Sequence, residues 1–116
     1  MKMICIENPH YRIEIDSTHG RITRIHDRKG KFELIAEPRL AKNFQLLLPL
    51  PGMEANYILG GEQKLSSFHA TESAMELHWT DPLKNERGEF ALDVTLRIEL
   101  VEEAIHFNCA VHNRSE

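Results

Sequence analysis

Apolar and polar residues alternate along much of this chain, most clearly near its C-terminal end. Between Phe90 and Leu100 every second residue is apolar, and positions 93, 95, 97 and 99 are polar. After Glu102 and Glu103 the alternation resumes from Ile105. A period of two is typical of a strand with one buried face, because successive side chains of a strand point to opposite sides. The two runs therefore predict a hairpin of two long antiparallel strands.

Shorter alternating runs divide most of the remaining chain into strand-length pieces. In chain order, these are Tyr11–Asp16 and residues 21–26, 31–35, 64–70 and 74–79, with polar turns such as residues 27–30 between them. Residues 81–88 predict a loop. No window has a convincing helical period, since Pro38 interrupts the nearest one. We therefore expect an all-β protein, with two packed antiparallel sheets or a closed barrel of about eight or nine strands and little or no helix.

The segment from residue 43 to residue 63, NFQLLLPLPGMEANYILGGEQ, differs from its surroundings. Its first half is apolar at consecutive positions, which predicts a short strand buried on both faces. Two prolines and a glycine then end the strand, because proline has no N–H to donate to a sheet.

The loop that follows contains Glu54, Asn56 and Tyr57. A carboxylate, an amide and an aromatic ring are the groups that hold a sugar, because the ring packs on its apolar face and the polar groups bond its hydroxyls. We predict that these three residues bind carbohydrate. A structural role stays open for two of them: Asn56 bonding the turn backbone, and Tyr57 capping the edge of the sandwich.

The composition is that of an ordinary globular domain. The 116 residues are 41% hydrophobic and 28% charged, and we expect residues 1–116 to form a single domain. The formal charge is −4, and no basic run offers the cationic surface that nucleic acid requires. No apolar stretch is long enough for a membrane span, and the N-terminus has no signal-peptide pattern. Cys5 and Cys109 lie in apolar patterns, which predicts buried free thiols and a cytoplasmic location, although a disulfide stays open.

The chain contains histidines and a cysteine in HFNCAVH, residues 106–112. On a strand Cys109 points away from His106 and His112, which argues against a metal site. The chain has no nucleophile elbow. It also has no glycine-rich phosphate loop, because Gly60 and Gly61 lead into a predicted strand. We expect no catalytic residue and no cofactor.

Acid/base catalysis would need two titratable groups that converge on one bond. The candidates are Glu54, Glu62, His69, Glu76 and His78. If residues 64–70 pair with residues 74–79, His69 and His78 lie near each other on one sheet face. We favour the simpler interpretation, in which these side chains belong to a solvated face.

The order of features in the first third of the chain resembles the opening of galactose-mutarotase-like β-sandwich domains. The stretch YRIEIDSTHGRITRIHDRKGKFELI carries the likeness, through Asp16, Gly20, Ile22, Ile25, Asp27, Gly30, Glu33, Leu34 and Ile35. The closing NCAVHNRSE is similar to a later long strand that ends in an Asn-rich corner. The resemblance implies an antiparallel β-sandwich. Complete domains of this superfamily are longer, so we expect the N-terminal portion of a longer protein.

Such domains occur as free sugar epimerases and as non-catalytic sandwich domains attached to glycoside hydrolases and polysaccharide lyases. The His-rich signature of the epimerases is not found here. The resemblance therefore implies a non-catalytic carbohydrate-associated module, accessory to a glycoside hydrolase or related enzyme and packed against its catalytic domain.

Two alternatives stay open. The chain could be part of a sugar epimerase or polysaccharide lyase, which would require two convergent titratable groups in a pocket near residues 54–57. It could instead be a protein–protein interaction or oligomerisation module, whose exposed strand edges pair with a partner or a second copy. That function would require a flat apolar face or an unpaired edge.

Overall fold

The computed structural model describes residues 3–35, 42–48, 52 and 56–114, and within them the chain is built of strands. The elements are β1 (Met3–Glu7), β2 (Tyr11–Asp16), β3 (Ile22–Asp27), β4 (Phe32–Glu33), β5 (Gln45–Leu47), β6 (Tyr57–Leu59), a 3-10 turn (Gly60–Glu62), β7 (Ser67–Ala70), β8 (Ala74–Trp79), β9 (Leu83–Asn85), β10 (Gly88–Phe90), β11 (Leu92–Val101) and β12 (Ala104–Asn113). The all-β prediction is confirmed. No helix in this part of the chain is long and apolar enough to cross a membrane.

Two four-stranded antiparallel sheets form the body of the molecule. The first has the order β1-β2-β3-β4 and the second the order β12-β11-β8-β7, while β5-β6 and β9-β10 form separate two-stranded ribbons. The core lies between the two sheets and is formed mainly by Ile4, Ile6, Ile13 and Ile15 of the first and Met75, Leu77, Trp79, Val94, Leu96 and Ile98 of the second. The predicted β-sandwich is therefore confirmed.

Trp79 anchors one end of the core, as its alternation with Leu77 and Met75 predicts. Its side chain is fully buried, and its ring meets Phe44 edge-on with centroids 4.9 Å apart. The indole N–H donates to the His19 carbonyl at 3.3 Å. Gly20 has a φ of +73°, and a Cβ there would lie 2.5 Å from Trp79 Cζ2, so the turn needs glycine for both its conformation and its space.

The predicted strand around residues 44–48 forms, but it is not buried on both faces. β5 is three residues long, and Gln45 and Leu47 are exposed. Among the described strands it pairs with β6. This ribbon turns one face to the core, so Phe44, Leu46 and Leu48 are partly buried. Consecutive apolar residues here mark a half-covered ribbon rather than a central strand.

Three other boundaries differ from the sequence predictions. Residues 81–88 contain a short hairpin, β9–β10, instead of a loop. Gly60 and Gly61 begin a 3-10 turn rather than leading into a strand, and the predicted strand at 64–70 starts only at Ser67. These short elements raise the number of strands above the eight or nine expected, because two- and three-residue pairings leave too little alternation to detect.

The long C-terminal hairpin is confirmed. β11 and β12 pair from Leu92↔Asn113 to Val101↔Ala104. However, the apolar face of β12 is not buried: Phe107, Cys109 and Val111 are all exposed. Both cysteines are free, but Cys109 is exposed and Cys5 is partly buried, so the prediction of two buried thiols is wrong. The first sheet covers β8 and β11 and leaves β12 open.

Candidate functional site

The predicted sugar-binding loop is partly described by the structure. Glu54 lies outside the described residues. Asn56 is buried, and its Oδ1 accepts a 2.7 Å hydrogen bond from Asn85 Nδ2. The same Asn85 nitrogen donates to the Tyr57 carbonyl at 2.9 Å. Asn56 Nδ2 is buried without a hydrogen-bond partner among the described residues. Asn56 thus joins β6 to β9, which is a structural role, although its partner is a side chain rather than the turn backbone.

Tyr57 lies at the start of β6, where its backbone pairs with Leu47. Its side chain is 48% exposed. Of the predicted site residues within the described part of the chain, Tyr57 is therefore the one whose side chain reaches solvent. An exposed tyrosine offers a ring face for an apolar surface and a hydroxyl for a hydrogen bond.

A depression of about 420 Å³ lies beside this segment. Its lining residues are Leu48, Glu89, Phe90, Ala91, Leu92 and Asn113. Leu48 connects the two features, because its backbone N–H donates to the Asn56 carbonyl at 2.8 Å. The depression combines an aromatic ring, a carboxylate and an amide on an apolar floor, which are the groups that the sugar-binding prediction required of residues 54–57.

The sequence analysis missed this depression, since three separate segments of the chain form it. Phe90 was assigned to the apolar face of the long strand, and nothing in the local pattern brings it next to Leu48. The side chain of Glu89 forms a 3.5 Å ion pair with Lys84. No second titratable side chain lines the described wall of the depression.

A second depression, of about 480 Å³, lies on the other side of Glu89 and contains Glu62, Lys64, Asp81 and Lys84. Charged side chains of both signs line it, so it favours neither an anion nor a cation. Gln63 at its base is buried. The Gln63 amide donates to the carbonyls of Leu59 and Lys84 at 3.1 and 2.8 Å and accepts from the Lys84 N–H at 2.8 Å. All of these bonds fasten the backbone, which is a structural role.

His69 and His78 lie on one face of the second sheet, as the pairing of their strands predicts. β7 pairs with β8, with His69 opposite Glu76 and Ser67 opposite His78. Both histidines are therefore on the outer face of the second sheet. His78 Nε2 lies 3.7 Å from Glu76 Oε1, and Arg97 lies 3.5 Å from the other Glu76 oxygen.

This group forms an open ion-pair network. Glu76 shares its charge between His78 and Arg97, and the His78 Nδ1 lies 3.2 Å from the Thr95 hydroxyl. The nearby depression, about 270 Å³ in volume, is lined by His69, Glu76, Arg97 and Glu99 among others. The arrangement matches the solvated sheet face that the sequence analysis favoured. In the described part of the chain, no group of three His, Cys, Asp or Glu side chains is placed to hold a metal ion.

The outer face of the first sheet carries a second charged network. Arg24 contacts Glu14 at 3.0 Å and Glu33 at 2.7 Å, which connects β2, β3 and β4. The hydrogen bond from Arg24 lowers the pKa of Glu33 and the same contacts raise the pKa of Arg24. Burial raises the pKa of the Cys5 thiol, and the positive charge of Arg12 only partly offsets this. The Arg24 contacts connect three strands of the sheet and pair the described carboxylates of Glu14 and Glu33.

Comparison with known proteins gives two matches. The model of the glycosyl hydrolases family 38 C-terminal domain matches residues 6–116. The crystal structure of a galactose mutarotase-like protein from Lactobacillus casei ATCC 334 is similar to the chain, with 16% sequence identity and a TM-score of 0.57. No relative among the curated proteins matches at a significant level.

The structural match covers 97% of this chain and 44% of the Lactobacillus casei protein. The chain thus spans less than half the length of that protein. At this sequence identity the likeness shows the fold alone. Together the two matches confirm the resemblance to mutarotase-like β-sandwich domains of carbohydrate-active enzymes.

Proposed function

Because this chain belongs to the family of glycosyl hydrolases family 38 C-terminal domains, we propose that it is a non-catalytic β-sandwich module that acts beside the catalytic domain of a glycoside hydrolase. Members of this family are carbohydrate-related accessory domains rather than catalytic domains. The observation that carries the proposal is the extent of the match, since residues 6–116 include strands of both sheets.

The chemistry near the predicted site supports the same proposal. General acid/base catalysis needs two titratable groups that converge on the reacting bond. In the depression that Leu48 lines, Glu89 is accompanied by apolar residues and Asn113, and its charge is partly balanced by Lys84. His69, Glu76 and His78 are placed on an open sheet face, where water competes for every hydrogen bond and screens every charge.

The non-catalytic role can be tested with the chain itself. We expect no hydrolysis of a panel of nitrophenyl glycosides, and no interconversion of sugar anomers above the buffer rate when it is followed by NMR. An enzyme would show a rate that persists through purification and that Glu76→Gln or His78→Asn abolishes. Such a rate would overturn the proposal in favour of a sugar epimerase, and eliminative cleavage of a uronic-acid polymer would favour a lyase.

We also propose that the module contacts carbohydrate around Tyr57. The Tyr57 ring, which is 48% exposed, supplies a stacking surface, and the depression of about 420 Å³ that Leu48 lines supplies polar and apolar groups at the same ribbon. Asn56 contributes by fixing β6 against β9, so that Tyr57 is held in place. Glu54 remains part of this proposal as a predicted ligand to sugar hydroxyls.

A glycan array with matched variants tests this contact. We expect weak binding by the intact chain and loss of that binding in Tyr57→Ala. Phe68→Ala is the control, because Phe68 is equally 48% exposed but lies on β7, an edge strand of the second sheet. Equal binding by the intact chain and Tyr57→Ala, or no binding at all, would eliminate the sugar contact and leave the accessory role unaffected.

A further inference from the structure

The two sheets are joined along one side of the sandwich. The N–H of Glu7, at the end of β1, donates to the carbonyl of Glu72, in the turn between β7 and β8, at 3.0 Å, and β1 also contacts β7. β1 is an edge strand of the first sheet and β7 is an edge strand of the second. The other two edge strands, β4 and β12, therefore lie on the opposite side, the open side of the sandwich.

On the open side, the inner face of β12 continues the core without cover. Phe107 and Val111 lie opposite Ile98 and Val94 of β11. Ile98 and Val94 are fully buried, whereas Phe107 and Val111 are each about half exposed. The first sheet ends on this side with β4, which has two residues, whereas β12 has ten. β4 is therefore too short to cover β12.

β4 also has exposed apolar side chains on its inner face. Glu33 pairs with Arg24 on the outer face of the first sheet. Because successive side chains of a strand point to opposite sides, its neighbours Phe32 and Leu34 point inward. Phe32 is 60% exposed and Leu34 is 53% exposed. Both sheets therefore have uncovered apolar groups on the same side of the sandwich.

β12 lacks the features that normally protect an edge strand. Its sequence, AIHFNCAVHN, contains no Lys, Arg, Asp, Glu, Pro or Gly. Soluble proteins usually block an exposed edge with charges, prolines, bulges or a very short strand, because such an edge otherwise pairs with another strand. The composition of β12 is that of a strand paired on both sides.

We propose that the open side is covered by further strands of the same β-sandwich domain, formed by residues that follow position 116 in a longer chain. The similar solved structure is matched by 97% of this chain over 44% of its own length, so more than half of that protein has no counterpart among these residues. Consecutive strands are usually neighbours in space. A strand beside β12 would bond its free N–H and C=O groups, and a strand beside β4 would extend the first sheet over Phe107 and Val111.

A separate catalytic domain or a second copy fits the open side less well. Either one would have to supply cover to the edges of both sheets, whereas a continuation of the domain lengthens both sheets in the same direction. Interfaces between domains are also more polar than the interior of one domain, and β12 has no charged residue. The inference rests on the two edges and on the extent of the structural match, and it depends neither on the accessory role nor on the carbohydrate contact.

A photo-reactive side chain at position 107 tests the proposal in the protein as its gene encodes it. p-Benzoylphenylalanine in place of Phe107 should cross-link within the same chain to a peptide that follows position 116, identified by mass spectrometry. The same amino acid in place of Lys29, in the exposed turn between β3 and β4, is the control and should not cross-link to that peptide. A cross-link to a second copy or to any other part of the chain, or no cross-link, would overturn the proposal. A gene that encodes no residue after Glu116 would overturn it as well.

Glutamates on the two faces of β12 give a second test in the same protein. Phe107→Glu would bury a carboxylate under the added strands and should lower the Tm by about 10 °C or more. Asn108→Glu is the matched control, because Asn108 lies on the outer face opposite Arg97, and it should shift the Tm by less than about 3 °C. Equal shifts for the two variants would overturn the proposal, because an uncovered inner face tolerates a charge as well as the outer face does.

Discussion

β11 and β12 are matched in every respect that a sequence pattern records, yet their surroundings differ. Both are ten residues long, both alternate apolar and polar side chains, and they pair with each other from end to end. The inner side chains of β11 are buried, with Ile98 fully covered, whereas Phe107 of β12 is 51% exposed. The alternation identifies which side chains share a face. Whether that face is covered depends on a different sheet.

The first sheet is bound to the turn between β11 and β12. Tyr11 donates its hydroxyl hydrogen to the Glu103 carbonyl at 2.8 Å, and Asn8 Nδ2 donates to the Glu102 carbonyl at 3.0 Å. These contacts align β2 and the preceding turn with the end of β11. β12 therefore lies beyond the part of the second sheet that the first sheet reaches.

The largest difference in stability is expected when the two residues of one cross-strand pair, Ile98 and Phe107, are each truncated to alanine. Ile98→Ala removes a fully buried side chain and should lower the free energy of unfolding by about 2–5 kcal/mol. Phe107→Ala, directly opposite, should cost less than about 1 kcal/mol, because much of its surface is already in water. Urea unfolding of the two variants and of the wild-type chain measures both losses. Equal losses would mean that β12 is covered.

A smaller difference is expected from Val94 and Val111, which lie opposite each other. Val94→Thr would bury a hydroxyl in a fully enclosed position and should destabilise the chain by about 1–3 kcal/mol. Val111→Thr places the same hydroxyl at a half-exposed position and should change stability by less than about 0.5 kcal/mol. The two substitutions have the same shape change, so thermal unfolding isolates burial. A penalty at Val111 as large as at Val94 would contradict the open face.

The features of the fold that could be predicted from the sequence are those that depend on residues close together in the chain. The β11–β12 hairpin, the β7–β8 pairing and the buried Trp79 follow from alternation, and all three are confirmed. The β9–β10 hairpin was missed, because three-residue strands of mixed polarity leave no periodic signal. The exposure of β12 could not be predicted, because it is set by how far a sheet from the other end of the chain extends.

The candidate site shows the same limit. Residues 54–57 were selected because their chemistry is adjacent in sequence, and Tyr57 is indeed exposed. Asn56 is buried and accepts a hydrogen bond from Asn85, which is 29 positions away along the chain. The depression of about 420 Å³ joins Leu48 to Phe90 and Asn113. Composition can suggest which groups bind a sugar, but only the fold shows which of them reach solvent together.

A last difference is expected in thiol reactivity. Cys109 is exposed, but desolvation by its neighbours raises the pKa of its thiol, so less thiolate is present at neutral pH and alkylation should be slower than for a thiol in the unfolded chain. The rate should keep rising as the pH passes the ordinary thiol pKa of 9.0. A cysteine at the facing β11 position, Leu96→Cys with both native cysteines replaced by serine, should react about a hundredfold more slowly.

Alkylation of the folded protein, followed by mass spectrometry, measures the reaction rate of Cys109 and of the cysteine introduced at position 96. Cys5→Ser isolates Cys109 for this comparison and leaves β12 unchanged. Labelling of Cys109 only after denaturant is added would show that its face is covered.

Amide hydrogen exchange tests most directly the central claim that β11 is enclosed and β12 is not, although the two strands have matching sequence patterns. β11 has a neighbour on each side, so its amides should be protected. Alternate β12 amides of this chain should exchange rapidly, because every second N–H faces away from β11. Uniform protection of all β12 amides, equal to that of β11, would contradict the account.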